Sequence, residues 1–217
     1  MEKPDPKEVA KMLRKPEGEF GIKVALRMNE SNRNIIQWAI EKLSIQNNDR
    51  VLEIGFGNGS HIPKILSKAS MIKYTGLDIS ETMVNIVEKE YAKEIELGQL
   101  TLHLGSSSEM PFSHNTFDKI FTVNTIYFWE DPIEHLKQIY NVLKPGGLFC
   151  LAFKSKSFMQ NLPFVQHGFI HYDQSDAMEL LKAVGFKIEN LDYRKEAPLD
   201  VNGIGVTPDA ILISASK

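Results

Sequence analysis

From residue 50 onward, short apolar runs alternate with amphipathic segments. The apolar runs have the length of buried strands, and the segments between them place apolar residues at helical spacing. This alternation predicts an α/β fold in which a mostly parallel sheet lies between two layers of helices, a three-layer α/β/α arrangement. The predicted strands are 50–54, 74–78, 100–104, 119–123 and 148–153, and the predicted helices are 60–69, a helix from Glu81, and 132–143.

The pattern changes at both ends of the chain. After a predicted helix at 176–184 that ends at Gly185, two strand-like runs at 187–194 and 209–215 can pair as an antiparallel hairpin at the sheet edge, which makes seven strands in all. Residues 5–46 read as helices broken around Pro16 to Gly18. We expect a single domain over 1–217, with an N-terminal helical arm at 1–46 and a sheet core at 47–217.

The apolar stripe of the arm lies on its last helix. It consists of Ile35, Ile36, Ala39, Ile40 and Leu43. A stripe of this width predicts that the helix packs against the sheet.

Composition restricts the function classes. The chain has 217 residues, 42% of them hydrophobic and 24% charged, with a net charge of −3, so no basic stripe suggests a nucleic-acid partner. The N-terminus is charged and contains prolines, and no apolar run approaches the roughly 20 residues that span a bilayer. The single cysteine, Cys150, falls in a predicted strand as a small core residue. We expect a cytoplasmic protein that does not bind membranes.

The segment Val51 to Ser60, VLEIGFGNGS, is predicted to be a buried strand that turns sharply into a helix. Its three glycines leave the backbone bare, so a ligand can approach the N–H groups at the start of the helix. The third glycine comes one position too early for the dinucleotide fingerprint, and the lysine that a P-loop requires is absent. Glu53 lies within the apolar strand, where a carboxylate needs a partner; an amino group on the ligand would provide one.

The strand and its E-x-G-x-G-x-G ending resemble motif I of the class I S-adenosylmethionine-dependent methyltransferases. The resemblance extends over about residues 50–153, with four motifs in the family's order, and it implies a Rossmann-like methyltransferase fold with S-adenosylmethionine as the cofactor. The cofactor-binding residues that it implies are Glu53, Gly55, Phe56, Gly57, Asn58, Gly59, Asp78, Ile79, Met83, Ser106, Ser107, Ser108 and Asn124.

Asp78 ends the second predicted strand, where a carboxylate can accept hydrogen bonds from both ribose hydroxyls of an adenosine. The same aspartate could instead cap the next helix, as could Ser80. The segment TGLDISETMV resembles motif II of the family, in which Ile79 would pack on the adenine face with Met83 nearby. Apolar residues at these two positions are equally consistent with a place in the core.

The loop after the third strand departs from the family pattern. Ser106 stands where these enzymes usually carry an aspartate that reads the adenine amino group, so we expect a cofactor affinity lower by roughly 1 kcal/mol. By resemblance, Asn124 lies beside the methionyl part of the cofactor, and the arm contributes Phe20, Met28 and Asn29 as candidate pocket residues. Phe128 and Trp129 fit the core better than the pocket, whereas Tyr127 fits either.

Methyl transfer from a sulfonium needs positioning more than a dedicated catalytic residue. If the acceptor requires a base, the candidates are Tyr127, His167 and His171, and the last two lie in a segment that could form a lid with Tyr172 and Asp173. We predict no metal site. The predicted function is methyl transfer to a small-molecule acceptor, and the sequence is silent on oligomeric state.

Two other functions stay open. The first is a non-catalytic methyltransferase-like module that binds S-adenosylmethionine, for which Ser106 is a hint. The second is a nicotinamide-dependent oxidoreductase, against which Glu53 and the early third glycine argue.

Overall fold

The computed structural model describes residues 4–196, 199–201 and 204–217. Residues 1–3 of the predicted arm lie outside this range. The helices are α1 (Pro6–Arg14), α2 (Gly18–Ser31), α3 (Arg33–Lys42), α4 (Ile62–Leu66), α5 (Glu81–Glu90), α6 (Ala92–Glu96), α7 (Pro132–Val142), α8 (Lys156–Met159) and α9 (Gln174–Val184), with a 3₁₀ turn at Ile126–Phe128. The strands are β1 (Arg50–Ile54), β2 (Lys73–Asp78), β3 (Leu100–Leu104), β4 (Phe117–Val123), β5 (Leu143–Lys154), β6 (Lys187–Lys195), β7 (Leu199–Val201), β8 (Ile204–Val206) and β9 (Asp209–Ser216).

Seven strands form one sheet in the order β3-β2-β1-β4-β5-β9-β6, and β7 pairs with β8 in a separate hairpin. Strands β1 to β5 are parallel, and β9 runs antiparallel between β5 and β6. The sequence-based prediction of a mostly parallel seven-stranded sheet with an antiparallel C-terminal pair is therefore confirmed. The hairpin of β7 and β8 was not predicted.

Alternate residues of the central strands point to opposite faces of the sheet, each with its own apolar core. In β1, Leu52 belongs to the core under α7 and α9, and Val51 belongs to the core under α3, α4 and α5. In β5, Phe149 and Cys150 divide in the same way, and Cys150 is a buried free thiol, as predicted. Strands with apolar residues on both faces are typical of parallel sheets covered by helices.

Helix boundaries differ from the predictions where turns intervene. The helix predicted at 60–69 is only α4, because turns of the glycine segment continue through His61 and further turns follow Leu66. The arm has a second break, at Asn32 between α2 and α3, that the sequence pattern did not indicate. Helix α9 ends at Gly185 with φ of 107°, as the glycine there predicted. Among the residues that the structure describes, no helix is both long enough and apolar enough to cross a membrane.

Candidate functional site

A cavity of about 680 Å³ lies at the carboxyl ends of β1, β2 and β4, beneath the N-terminal arm. Ligands of open α/β sheets bind at this edge, where the strand order reverses. The cavity is lined by these members of the predicted cofactor set: Glu53, Gly55, Phe56, Gly57, Asn58, Asp78, Ile79, Ser106, Ser107, Ser108 and Asn124.

The glycine loop after β1 has the backbone that its sequence requires. Gly55, Gly57 and Gly59 have φ values of 77°, 58° and 69°, in the left-handed region that other residues rarely adopt. A Cβ at Gly57 would meet no atom within 4 Å, so its backbone faces the open space of the cavity. A Cβ at Gly55 would lie 2.5 Å from Cγ2 of Thr125, so that glycine allows β1 and the loop after β4 to approach each other.

Asp78 connects two loops of the site. Its Oδ2 accepts a hydrogen bond from the Gly57 N–H at 2.9 Å, and its Oδ1 accepts one from the Ser80 N–H at 2.9 Å. Burial raises the pKa of this carboxyl to about 6, and the backbone donors only partly oppose that effect. The aspartate lines the cavity and does not cap α5, because the cap of that helix is Ser80.

Glu53 already has partners within the protein. Nε2 of His61 lies 2.8 Å from each of its carboxylate oxygens, and the Tyr74 hydroxyl donates to Oε2 at 2.6 Å. His61 and Tyr74 thus supply the partners that the buried carboxylate requires, and an amino group on the ligand is not needed for that purpose. Both Glu53 and His61 line the cavity, so the pair forms part of its floor.

Two predicted contact residues do not line the cavity. Met83 is fully buried in the core under α5, because the phase of that helix turns it inward, whereas Ile79 precedes the helix and lines the cavity. A Cβ at Gly59 would lie 2.8 Å from Cδ1 of Ile62 and 2.9 Å from Cγ2 of Val87. Gly59 therefore allows close packing of α4 and α5, and we correct its predicted role as a ligand contact.

The loop after β3 contains Ser106, Ser107 and Ser108, and we refer to it as the serine loop. Some of its hydrogen bonds lie within the loop and one reaches α7. The hydroxyls of Ser106 and Ser108 lie 2.8 Å apart, and Oγ of Ser106 also accepts the Ser108 N–H. Oγ of Ser107 instead lies 2.6 Å from Nδ1 of His135, in the first turns of α7. The His135 ring stacks on Trp129, with ring centroids 4.9 Å apart and planes 6° apart.

Asn124 and Tyr127 line the cavity, but their polar atoms are engaged by the protein. Asn124 adopts φ of 57°, donates from Nδ2 to Oδ1 of Asn32 and accepts the Lys154 N–H at Oδ1. The Tyr127 hydroxyl is directed at Oδ1 of Asn124 and the carbonyl of Lys154, and it accepts the Lys154 N–H. Burial raises the pKa of the Tyr127 phenol well above its ordinary value. A phenol in this environment is a poor general base.

The other two candidate bases lie outside the cavity lining, as does one predicted pocket residue. His167 is exposed, whereas His171 is partly buried with a lowered pKa because of that burial. Phe20 is 37% exposed on the outer face of α2, while Met28 and Asn29 of the same helix line the cavity as predicted. Of the three candidate bases, the structure thus brings Tyr127 into the cavity with the glycine loop and leaves His167 and His171 outside its lining.

The far end of the cavity is apolar and aromatic. Phe169 lies 4.7 Å from Phe128 and 5.6 Å from Phe164, measured between ring centroids, and Met159 and Met28 complete the wall. Phe128 and Trp129, which we expected in the core, also line the cavity. We refer to this part, formed by Met28, Phe128, Met159, Phe164 and Phe169, as the aromatic chamber.

The arm closes over the cavity through three polar contacts. The Ser80 hydroxyl donates to the carbonyl of Pro16 at 2.5 Å, Asn124 bonds Asn32 at 3.0 Å, and Arg14 pairs with Glu130 at 2.7 Å. These contacts join the arm to the loops that follow β2 and β4.

Sequence reasoning missed several residues of the site. His61 had a local signal, since it follows the glycine loop and lies within reach of an acid in the preceding strand. His135 lies one turn beyond Asp131, the residue that caps α7 at the carboxyl edge of the sheet, which is also a detectable position. The sequence did not indicate that Phe164 and Phe169 belong to the site. They lie in an irregular segment, where no helix or strand periodicity indicates the direction of an aromatic ring.

Comparisons with known proteins agree with this architecture. Residues 52–151 match the family model described as a methyltransferase domain. YdaC, an uncharacterized methyltransferase of Bacillus subtilis (strain 168), is 33% identical over 120 residues, which are 55% of this chain and 64% of that protein. The chain therefore matches slightly less than two thirds of the length of this relative.

Two solved structures share the fold. A methyltransferase of Haloferax volcanii in complex with the Trm112 activator has a TM-score of 0.74 at 18% identity, covering 88% of this chain and 92% of its own. An S-adenosylmethionine-dependent methyltransferase from Aquifex aeolicus has a TM-score of 0.62 at 19% identity, covering 98% of both chains. At such identities the likeness extends to the fold alone.

Proposed function

Residues 52–151 of this chain match the methyltransferase domain family, and the sheet has its class I, Rossmann-like fold; on that premise we propose that the protein transfers a methyl group from S-adenosylmethionine to a small apolar molecule. One observation carries the proposal. A single cavity runs from the glycine loop and Asp78 to the aromatic chamber, so it has room for a cofactor at one end and an acceptor at the other.

The residues at the cofactor end fit S-adenosylmethionine. Gly57 leaves open space beside its backbone, which a larger residue would fill, and the Asp78 carboxylate lines the same cavity. In the proposed complex Asp78 accepts from the ribose hydroxyls, Ile79 packs on the base, and Asn124 lies near the methionyl part. The cofactor supplies a methyl group on a sulfonium with a good leaving group. The protein then has to orient the acceptor and exclude water.

The aromatic chamber supports an acceptor with little charge. Apolar walls favour apolar ligands, and the polar groups nearest the chamber, Asn124 and Tyr127, already bond each other and the backbone. Aromatic rings beside a sulfonium are also electrostatically favourable. Met28 of the arm and Met159 of α8 line this end. We therefore propose acceptors whose nucleophile is reactive without an enzymatic base.

Calorimetric titration with S-adenosylmethionine and S-adenosylhomocysteine, with NADH as the control, tests the cofactor assignment. We expect micromolar binding of the first two and none of NADH. Binding of NADH alone would favour the oxidoreductase alternative. Binding of the cofactor without methyl transfer to any apolar acceptor would favour the non-catalytic module, and the assay would then be repeated with a Trm112-type activator, because a methyltransferase of similar fold forms such a complex.

A matched pair of glycine variants tests the location of the site. Gly57 and Gly98 both have positive φ, and a Cβ at either would meet no atom within 4 Å. Gly57→Ala and Gly98→Ala should each lose about 1 kcal/mol of stability to backbone strain. Only Gly57→Ala should weaken S-adenosylhomocysteine binding, by at least roughly tenfold, since only Gly57 lines the cavity. Equal affinities of the two variants for S-adenosylhomocysteine would show that the glycine loop does not contact the cofactor.

A further inference from the structure

The serine loop lacks the carboxylate that would accept a hydrogen bond from an adenine amino group. Ser106, at the position of that carboxylate, forms hydrogen bonds within its own loop, to the hydroxyl and the N–H of Ser108. If the proposed function is correct, another acceptor must face the 6-amino group of the cofactor. This inference therefore rests on the proposed function.

Ser107 is placed differently from its two neighbours. Its side chain is buried and lines the cavity, and among the residues that the structure describes its hydrogen-bond partner is Nδ1 of His135 at 2.6 Å. His135 also lines the cavity, and its ring is fixed by face-to-face stacking on Trp129. A hydroxyl bonded to a fixed ring nitrogen has a defined direction.

The protonation state and the tautomer of His135 together decide whether Ser107 donates or accepts this hydrogen bond. Burial lowers the pKa of the imidazole, although the acidic groups around it, Asp131, Glu134 and Glu130, oppose that effect, and Glu130 is itself paired with Arg14 of α1. A neutral ring can accept the Ser107 hydrogen at Nδ1 while it carries its own proton at Nε2. The lone pairs of the Ser107 oxygen are then free to accept from a ligand.

We propose that Ser107 and His135 together read the 6-amino group of the cofactor's adenine. The Ser107 hydroxyl donates to Nδ1 of His135 and accepts from the 6-amino group, so Ser107 contacts the cofactor and His135 is a positioning residue. The pair distinguishes a 6-aminopurine from a 6-oxopurine, whose carbonyl oxygen cannot donate.

The test compares S-adenosylhomocysteine with S-inosylhomocysteine, which carries an oxo group in place of the amino group. Calorimetry should give a preference of roughly tenfold or more for the adenosyl compound in the unmodified protein. Ser107→Ala and His135→Phe should reduce that preference to about twofold or less. His135→Phe keeps an aromatic ring on Trp129 but removes the acceptor, whereas His135→Gln retains an acceptor oxygen and should restore part of the preference.

Controls separate this reading from general damage to the fold. Ser214→Ala removes another buried serine hydroxyl, in β9 and outside the cavity lining, and should leave the preference unchanged. Loss of the preference in Ser106→Ala, with Ser107→Ala unaffected, would overturn the inference and assign adenine recognition to Ser106. An unmodified protein that binds neither compound would refute the proposed function itself, whereas binding with no effect of Ser107→Ala or His135→Phe would refute only this inference.

Discussion

The two ends of the cavity are built by different means. At the cofactor end the chain presents its backbone: Gly57 faces open space, and Asp78 holds the Gly57 and Ser80 N–H groups. At the other end the aromatic chamber is made of side chains from the arm, from the 3₁₀ turn after β4 and from the segment around α8. Backbone geometry tolerates few substitutions, whereas an apolar wall can be rebuilt from many residues. We therefore expect the first end to determine the cofactor and the second to determine the acceptor.

The strongest test of this division is Asp78→Ala. We expect it to weaken S-adenosylhomocysteine binding by about 1.5–3 kcal/mol through the lost ribose hydrogen bonds, as measured by calorimetry. The fold should change little in stability, because the substitution leaves two N–H groups without an acceptor but also removes a carboxyl that burial disfavours in its ionised form. An unchanged affinity would show that the cofactor end lies elsewhere.

Phe169→Ala should affect the acceptor and leave cofactor binding nearly unchanged, the reverse of what we expect for Asp78→Ala. Removing this ring from the aromatic chamber should lower kcat/KM for the acceptor about tenfold, a cost of about 1.4 kcal/mol, while S-adenosylhomocysteine affinity stays within about twofold.

Phe112→Ala is the matched control for Phe169→Ala. Phe112 is also partly buried between two rings, those of His103 and Phe117, but it does not line the cavity. Both variants should lose about 1–3 kcal/mol of stability, measured by denaturant unfolding. If Phe112→Ala lowered kcat/KM as much as Phe169→Ala, the loss would reflect destabilisation and not a contact with the acceptor.

Cofactor affinity should depend on pH through Asp78. Burial raises the pKa of this carboxyl to about 6 in the free protein, and ribose hydroxyls that donate to the ionised form lower it again in the complex. Binding then releases a proton, so affinity rises with pH up to about 6 and weakens by up to about tenfold for each unit below it. Asp78→Asn should abolish this dependence in titrations between pH 5 and pH 8.

The raised pKa of Asp78 also affects the stability of the free protein, but here low pH is favourable, whereas cofactor binding is favoured by high pH. The folded state holds the Asp78 proton more tightly than the unfolded chain does, so this group's contribution to stability is present at low pH and is lost as the pH rises through about 6. Denaturant unfolding of the unmodified protein and of Asp78→Asn between pH 3.8, the ordinary pKa of an aspartate, and about pH 6 would isolate that contribution. A contribution that instead grew with pH would contradict the assignment of the raised pKa.

The smallest expected effect belongs to the ion pair between Arg14 and Glu130. Both side chains are largely in solvent, where such pairs contribute little. Arg14→Gln should shift Tm by less than about 2 °C and should leave cofactor affinity unchanged. A large loss of affinity would show that this contact, and not the partly buried hydrogen bond from Ser80 to Pro16, holds the arm over the cavity.

Much of the fold could be predicted from the sequence, because burial on both faces leaves strands such as β1 and β5 visible as apolar runs. The early end of α4 and the break at Asn32 could not be predicted, because both depend on how local turns meet the rest of the fold. The hairpin of β7 and β8 did have a signal that was missed, because the apolar positions of Leu199, Val201, Ile204 and Val206 alternate on either side of an Asn-Gly dipeptide in the sequence.

The residues of the site also differ in how far the sequence could predict their roles. The role of Gly57 could be predicted, because the glycine motif itself indicates a backbone with positive φ at this position. Ile79 and Met83 are both apolar and close in sequence, so only the phase of α5 shows which of them reaches the cavity. His61 lies 8 residues after Glu53, so that pairing had a local signal that was missed, whereas His135 lies 28 residues after Ser107 and reaches it through the tertiary fold.

The position of β9 also has a consequence for synthesis of the protein on the ribosome. Because β9 lies between β5 and β6, both of those strands lack a partner on the facing side until residues 209–216 have been translated. The strands that carry the glycine loop and Asp78, β1 and β2, pair with neighbours that are translated much earlier. A nascent chain can thus assemble the cofactor end of the sheet while its other half still has an open edge, which is the stage at which the growing polypeptide is most exposed to aggregation.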